Sequence, residues 1–245
     1  MSLLDYERLE ALDASAFRRR EPYPWINPPA LLTEAGYRRL LDTLPDPSLF
    51  DASMGVPRSH GQRPHDRLVL EYHEGLPVAS VWHAFVAELR GARYLHFLRR
   101  MLGHSSVRLN FHWHYTPQGA SVSPHCDARR KLGSHIFYFN TEKDWNPEWG
   151  GQTLILGKGG RLRTRSAPEF ERFRLVIPAE AIGNRSLLFQ RGRASWHGMH
   201  ELRCPETALR KVFIVVANRA RRPWAWSRVG RRSAGAPVRE RGTPL

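Results

Sequence analysis

Hydrophobic positions recur at two spacings along this chain, and the change of spacing divides it. Up to about residue 105 the helical spacing of three and four rules. Tyr37, Leu40, Leu41 and Leu44 form one stripe, so a helix is predicted from Thr33 to Leu44. Thr33 suits its N-cap, Glu34 its first turn, and Pro45 ends it. A second helical region is predicted from Val78 to Leu102. Its first face is Val81, Trp82, Phe85, Val86 and Leu89; its second is Tyr94, Leu95, Leu98 and Leu102, with a break at Gly91. Residues 1–20 are polar and end in Arg18-Arg19-Arg20, which predicts a frayed or loosely docked helix. The prolines between Pro22 and Pro29 impose an extended path. Residues 46–66 show no period and read as a long loop, of the kind that covers a site or lies on the surface.

From Val107 the period becomes two. Val107, Leu109, Phe111, Trp113 and Tyr115 alternate with Arg108, Asn110, His112 and His114, an amphipathic strand. Shorter strands are predicted at His135–Asn140, Thr153–Leu156, Arg172–Ile177, Ser186–Gln190 and Arg210–Asn218. Glycine pairs and runs at 150–151, 157–160 and 183 punctuate them. Helices followed by many short strands give an α+β class, most simply a two-sheet roll or barrel with helices packed on one face. One structural domain is expected in three stretches: a strand and helical support region at 1–105, a β core at 106–220, and an Arg-rich tail at 221–245. The tail is expected to be partly disordered, with Trp224 and Trp226 docking back first.

At 245 residues and 41% hydrophobic, the chain can bury a core without disulfides or a structural metal. Its two cysteines, Cys126 and Cys204, make no framework, and residues 1–20 carry no apolar stretch of a signal peptide. The longest apolar run, Val212–Ala217, is far too short to span a bilayer. A cytoplasmic location with no membrane partner is the expectation. The net charge of +15 invites a nucleic-acid reading, but only Lys131, Lys143, Lys158 and Lys211 are lysines and the rest is arginine. A GC-rich genome produces that skew unaided, so the charge speaks more for an anionic co-substrate than for nucleic acid.

Candidate chemistry begins at Ser123-Pro124-His125-Cys126-Asp127. On an extended chain His125 and Asp127 project to the same face, an imidazole and a carboxylate at two corners of a metal site. Ser195-Trp196-His197-Gly198-Met199 offers a third ligand, with His200 as its rival. Two histidines and one carboxylate, leaving half the coordination sphere open, suit ferrous iron. Each piece alone is common. Their order is less so: H-x-D after an amphipathic strand, an aromatic strand, Trp149-Gly150-Gly151 and a strand, then a histidine, then a basic residue opening a long apolar strand.

That order, over residues 107–219 with a fainter echo in Pro22–Pro45, resembles the 2-oxoglutarate- and Fe(II)-dependent dioxygenases, particularly their prolyl-hydroxylase-like branch. The resemblance implies a double-stranded β-helix (jelly-roll) core with the N-terminal helices on one sheet. It implies that His125, Asp127 and His197 hold Fe(II) and that O2 and 2-oxoglutarate are consumed, with ascorbate as an optional reductant. Arg210 is implied as the partner of the far carboxylate of 2-oxoglutarate. It shares a strand face with Val212, Ile214 and Val216, whereas Lys211 points the other way. Arg210 follows His197 by 13 residues, a little more than the usual spacing, so an insertion is expected within Glu201–Thr207. Tyr115 and Tyr138 match positions at which that branch binds the co-substrate, a core role for both hydroxyls being equally open. The implied activity is hydroxylation of a peptidyl (proline-like) residue or a small molecule, with release of succinate and CO2.

Two other classes compete. A Zn(II) hydrolase tolerates the same ligands but needs no deep cation on the last strand and no O2. A degenerate roll that keeps metal and only binds is the second. Among oxygenases, nucleic-acid demethylases suit the charge, yet Arg210 has no close second arginine on its strand, the next being Arg219. The long loop at 46–66 and the Gly- and Arg-rich stretch 157–172 are expected to face the substrate.

Overall fold

Aspartates open the first two helices. In this computed structural model, which describes residues 2–220, α1 (Tyr6–Ala11) is capped by Asp5 and α2 (Ala14–Arg19) by Asp13. Each carboxylate accepts from backbone amides of the first turn that have no partner inside the helix. Leu9 and Phe17 are fully buried. The N-terminal segment is therefore docked rather than frayed, because Leu3, Leu4, Leu9, Ala14 and Phe17 anchor it among polar residues.

The proline-rich stretch leads into a two-residue strand, β1 (Trp25–Ile26), and then α3 (Glu34–Leu41). Thr33 caps α3 as expected, its hydroxyl accepting from the Gly36 amide at 3.0 Å. Two short strands follow inside and after the long loop, β2 (Asp51–Ser53) and β3 (Arg67–Glu71), which pair with each other. Neither was visible as a period, since β2 packs few side chains. The helical region splits at Gly91 into α4 (Ser80–Arg90) and α5 (Ala92–Leu102), and α5 ends on Gly103 in the left-handed conformation.

The remaining strands are β4 (Val107–Thr116), β5 (Val122–His125), β6 (Lys131–Tyr138), β7 (Leu154–Gly157), β8 (Leu175–Pro178), β9 (Ser186–Gln190), β10 (Trp196–Met199) and β11 (Arg210–Arg219). They form two antiparallel sheets, a seven-stranded one ordered β1-β9-β6-β11-β4-β3-β2 and a four-stranded one ordered β5-β10-β7-β8. The class is α+β with antiparallel sheets. The short strands β5 and β10 carry proline and glycine and had not been separable from loop by pattern.

Parity decides what each face of the large sheet does. Phe111, Trp113 and Tyr115 of β4, Phe137 of β6, and Phe213 and Val215 of β11 join Trp82, Phe85, Phe97 and the other helix residues in one core. Trp82 stacks edge-on to Trp113 at 5.0 Å between ring centroids, and its indole N–H donates to the Thr43 carbonyl at 2.8 Å. The opposite parity, Ile136, Tyr138 and Val212 with Leu187 and Phe189 of β9, meets Ile155 of the small sheet. The two sheets thus face each other, and the space between them is filled at one end and open at the other. Among the described residues, no helix is long and apolar enough to cross a membrane. The Arg-rich tail, with Trp224 and Trp226, lies outside the described residues.

Candidate active site

The open end of the intersheet space is a cavity of about 660 Å³. Its floor comes from β5 and β10, whose pairing places His125 directly opposite His197. The rings stand 4.3 Å apart between centroids. Asp127, just past the end of β5, brings its carboxylate to the same point. One donor atom from each of the three lies within 4.8 Å of the others, a spacing one ion can bridge. His200, the rival third ligand, is exposed and packs its ring on Phe170 instead.

Both imidazoles are held in the same way. Nδ1 of His125 lies 2.9 Å from the Ser123 carbonyl, and Nδ1 of His197 lies 3.0 Å from the Ser195 carbonyl. A carbonyl only accepts, so Nδ1 carries the proton and Nε2 keeps a lone pair. Burial pushes both rings toward the neutral form, His125 down to about 3. For Asp127, burial works to raise the carboxyl pKa, but the Lys131 ammonium at 2.6 Å and the His197 and His125 rings together outweigh it and hold the group ionised. Its other oxygen accepts from the Ser134 hydroxyl at 3.3 Å. Two neutral imidazoles with free lone pairs and one carboxylate are the donor set a divalent transition metal takes, so these residues fit ferrous iron. The hydrogen bonds to Ser123 and Ser195 are the tautomer-fixing partners that sequence alone did not identify.

Arg210 opens β11 on the cavity face and is buried, at 8% exposure. Its Nε donates to the Gly151 carbonyl at 2.5 Å and its Nη2 to the Thr153 hydroxyl at 3.3 Å. Burial lowers its pKa and the neighbouring Tyr138 opposes that, yet a guanidinium stays charged. Gly151 is required here: its φ is +93°, and a Cβ would sit 3.2 Å from both Arg210 and Trp145. Lys211 points away, its Nζ 2.9 Å from Asp144 Oδ2. Asn140 pins the strand start by accepting from the Lys211 amide and donating to the Leu209 carbonyl.

The two tyrosines separate. Tyr138 lies behind Arg210, its ring 5.5 Å from the guanidinium carbon and its hydroxyl donating to Thr153 at 3.0 Å. Tyr115 is on the other side of the sheet, packed on Phe50, with its hydroxyl donating to the Pro45 carbonyl at 3.0 Å. Its assignment to co-substrate binding is therefore corrected. Alternation sends Tyr115 to the helix face with Trp113, and it is His112 and His114 that reach the cavity. The two stack at 4.5 Å, and His65 meets His114 edge-on at 5.9 Å. The period of two in β4 already held this signal, since His112 and His114 oppose the apolar set. Lys131, Thr153, Arg58 and Arg67 had no such signal. Both loops expected to face a substrate contribute to the lining, through Arg58, Ser59, His60 and Gln62 and through Thr164 and Arg165.

No protein-family model matches the sequence, and no curated protein matches it. Solved structures do. A prolyl-4-hydroxylase from Pseudomonas putida superposes with a TM-score of 0.56 at 14% identity, over 84% of this chain and 98% of that one. A prolyl hydroxylase from Trichoplax adhaerens, solved with a hypoxia-inducible-factor oxygen-degradation-domain peptide, gives 0.62 at 15% identity, over 87% and 90%. SnoK, an α-ketoglutarate-dependent carbocyclase of nogalamycin biosynthesis, gives 0.57 at 12% identity, over 86% of each chain. The fold is that of the prolyl-hydroxylase-like 2-oxoglutarate oxygenases. Within this prolyl-hydroxylase-like fold, His125, Asp127 and His197 meet on the small sheet and Arg210 stands on the large sheet across the cavity.

Proposed function

We propose that this chain is a 2-oxoglutarate- and Fe(II)-dependent oxygenase that hydroxylates a C–H bond of a small molecule or a peptidyl, proline-like residue, releasing succinate and CO2. The observation that carries the reading is one cavity lined by both the His125–Asp127–His197 donor set and the buried guanidinium of Arg210. A hydrolase needs the first and has no use for the second. Fe(II), when bound, supplies the redox chemistry that couples decarboxylation of the keto acid to reduction of O2 and oxidation of the substrate.

The protein residues bind and orient. His125 and His197 present Nε2 because their backbone partners hold the proton on Nδ1. Asp127 is kept anionic and steered by Lys131 and Ser134. Arg210, braced by Gly151 and Thr153, offers its remaining N–H groups to the far carboxylate of 2-oxoglutarate, with the Tyr138 hydroxyl fixing Thr153. A charge-assisted bond of this kind is worth roughly 1.5–3 kcal/mol, which selects a dicarboxylate over a monocarboxylate. Val212, Ile136, Phe189 and Met199 give the cavity an apolar side that limits water.

In this reading the two facing sheets are a double-stranded β-helix supplied mainly by residues 106–220, and 1–105 is its support, lending β1, β2 and β3 to the large sheet. Ascorbate serves as an optional reductant. Two unpaired cysteines suit a reducing, cytoplasmic compartment. The Trichoplax neighbour holds a peptide, which supports the peptidyl arm of the proposal.

The test is incubation of a cell extract with the protein, Fe(II) and 2-oxoglutarate, with and without O2, followed by mass spectrometry. A product heavier by one oxygen atom, together with succinate, is expected only when O2 is present. Turnover of any substrate without O2 would replace this reading with a hydrolytic one.

A further inference from the structure

Asp127 is the only carboxylate among the described residues lining the cavity, against eight arginine or lysine side chains. On the oxygenase reading, Fe(II), 2-oxoglutarate and Asp127 together carry one negative charge, which Arg210 and Lys131 already more than offset. Of the six other cations, Arg129, Arg130 and Arg165 are exposed and Arg191 donates Nε to the Asp127 carbonyl at 3.1 Å, which leaves Arg58 and Arg67. Both are half-buried, and neither has an ion pair among the described residues. Arg67 donates Nη1 to the His65 carbonyl at 2.7 Å, while its buried Nε has no acceptor. Desolvation lowers the pKa of both guanidiniums, and Arg58 lowers that of Arg67 further. Two neighbouring cations withdrawn from water, with an N–H left over, are costly unless an anion completes them.

The two arrive from different elements, Arg67 from β3 and Arg58 from the loop before it. That loop is anchored beside the metal ligands by the Arg63 amide, which donates to the Ser123 hydroxyl at 3.1 Å. Arg58 is near enough for its charge to be felt by His125 and His197 and to feel that of Asp127. His65, His112 and His114 line the same cavity. Burial keeps these rings neutral, His65 down to about 2 and His112 down to about 4, so each adds one donor and one acceptor without more charge. A space of about 660 Å³ shared with 2-oxoglutarate suits a small organic molecule.

We propose that the substrate is a small organic acid whose carboxylate or phosphate is gripped by Arg58 and Arg67, with its carbon skeleton extending past the histidine wall toward His125 and His197. This deepens the oxygenase reading and rests on it.

The test uses the full chain loaded with Zn(II), as a redox-inert metal, and 2-oxoglutarate. Phenylphosphonate, phenylacetate and the neutral phenylacetamide are titrated by calorimetry. The two anions are expected to bind at one site at least about tenfold more tightly than the amide, the stronger of them naming the acid. Arg58→Gln and Arg67→Gln are each expected to weaken the anions roughly tenfold while leaving 2-oxoglutarate within about twofold. Arg210→Gln should do the reverse. Anions that bind no better than the amide overturn the proposal, and this comparison needs no variant to fold. Loss of 2-oxoglutarate in the Arg58 and Arg67 variants also overturns it, since the pair then belongs to the co-substrate. If 2-oxoglutarate does not bind the wild-type chain at all, the oxygenase reading fails separately. The anion titrations of the same variants still decide what the pair holds.

Discussion

His125 and His197 face each other across the β5–β10 pairing, and each is tied through Nδ1 to the carbonyl two residues before it. The repetition follows from antiparallel pairing: two strands bring the same local motif to one point from opposite directions. Asp127 completes the set only because the chain leaves β5 immediately after His125 and turns its carboxylate back toward Lys131 and Ser134.

Asp127→Ala and His197→Ala should each abolish metal-dependent binding of 2-oxoglutarate, with metal affinity falling at least about 100-fold. Removing one of three ligands leaves two, and no described neighbour replaces it. Calorimetry with Zn(II) and then 2-oxoglutarate reads both effects. Undiminished affinity in either variant would take that residue out of the site.

Arg210→Ala should raise the KM for 2-oxoglutarate by about 10- to 100-fold, matching the loss of a bidentate charged contact. Lys211→Ala should change it less than about threefold, because Lys211 serves Asp144 on the other side of the sheet. Gly151→Ala should imitate the arginine variant more weakly. Its Cβ would press on Arg210 from a backbone φ of +93°, without touching metal affinity. Initial rates over a range of 2-oxoglutarate concentrations decide the ranking.

Tyr115→Phe should leave the 2-oxoglutarate KM unchanged and cost about 1 kcal/mol of stability, the usual worth of its bond to Pro45. Tyr138→Phe, which frees Thr153 next to Arg210, should raise that KM by a few-fold. Urea denaturation beside steady-state kinetics separates the two. A co-substrate defect in the Tyr115 variant would reverse the assignment made from strand parity.

Stability should fall as the solution is acidified below neutral. His135 is fully buried between helix and sheet, its Nδ1 2.8 Å from the Tyr94 hydroxyl and its Nε2 without a partner. Burial pushes its pKa from 6.5 down to about 3. The unfolded chain therefore takes up a proton below pH 6.5 that the folded chain refuses until about pH 3, so folding free energy is lost across that window. At pH 5 this single group accounts for about 2 kcal/mol. Thermal melts of His135→Gln should show a shallower decline with pH than the wild type. An equal slope would mean that other groups dominate the acid limb.

The sequence by itself determined the α+β class, the stripes of α3, α4 and α5, the parity of β4 and β11, and which residues are chemically able to hold a metal. Those are local matters: a period of two or of 3.6 sets which side chains share a face, whatever the face later meets. Parity also separated Arg210 from Lys211 before any tertiary contact was known. The same parity, applied to β4, would have removed Tyr115 and promoted His112 and His114, but that step needed to know which face met the helices. Only the tertiary structure decided that β10 lies between β5 and β7, which brings His197 to His125 from 72 residues along the sequence. It alone drew Arg58 and Arg67 into the cavity, because a strand and a loop without a period become legible only once neighbouring backbone holds them in place.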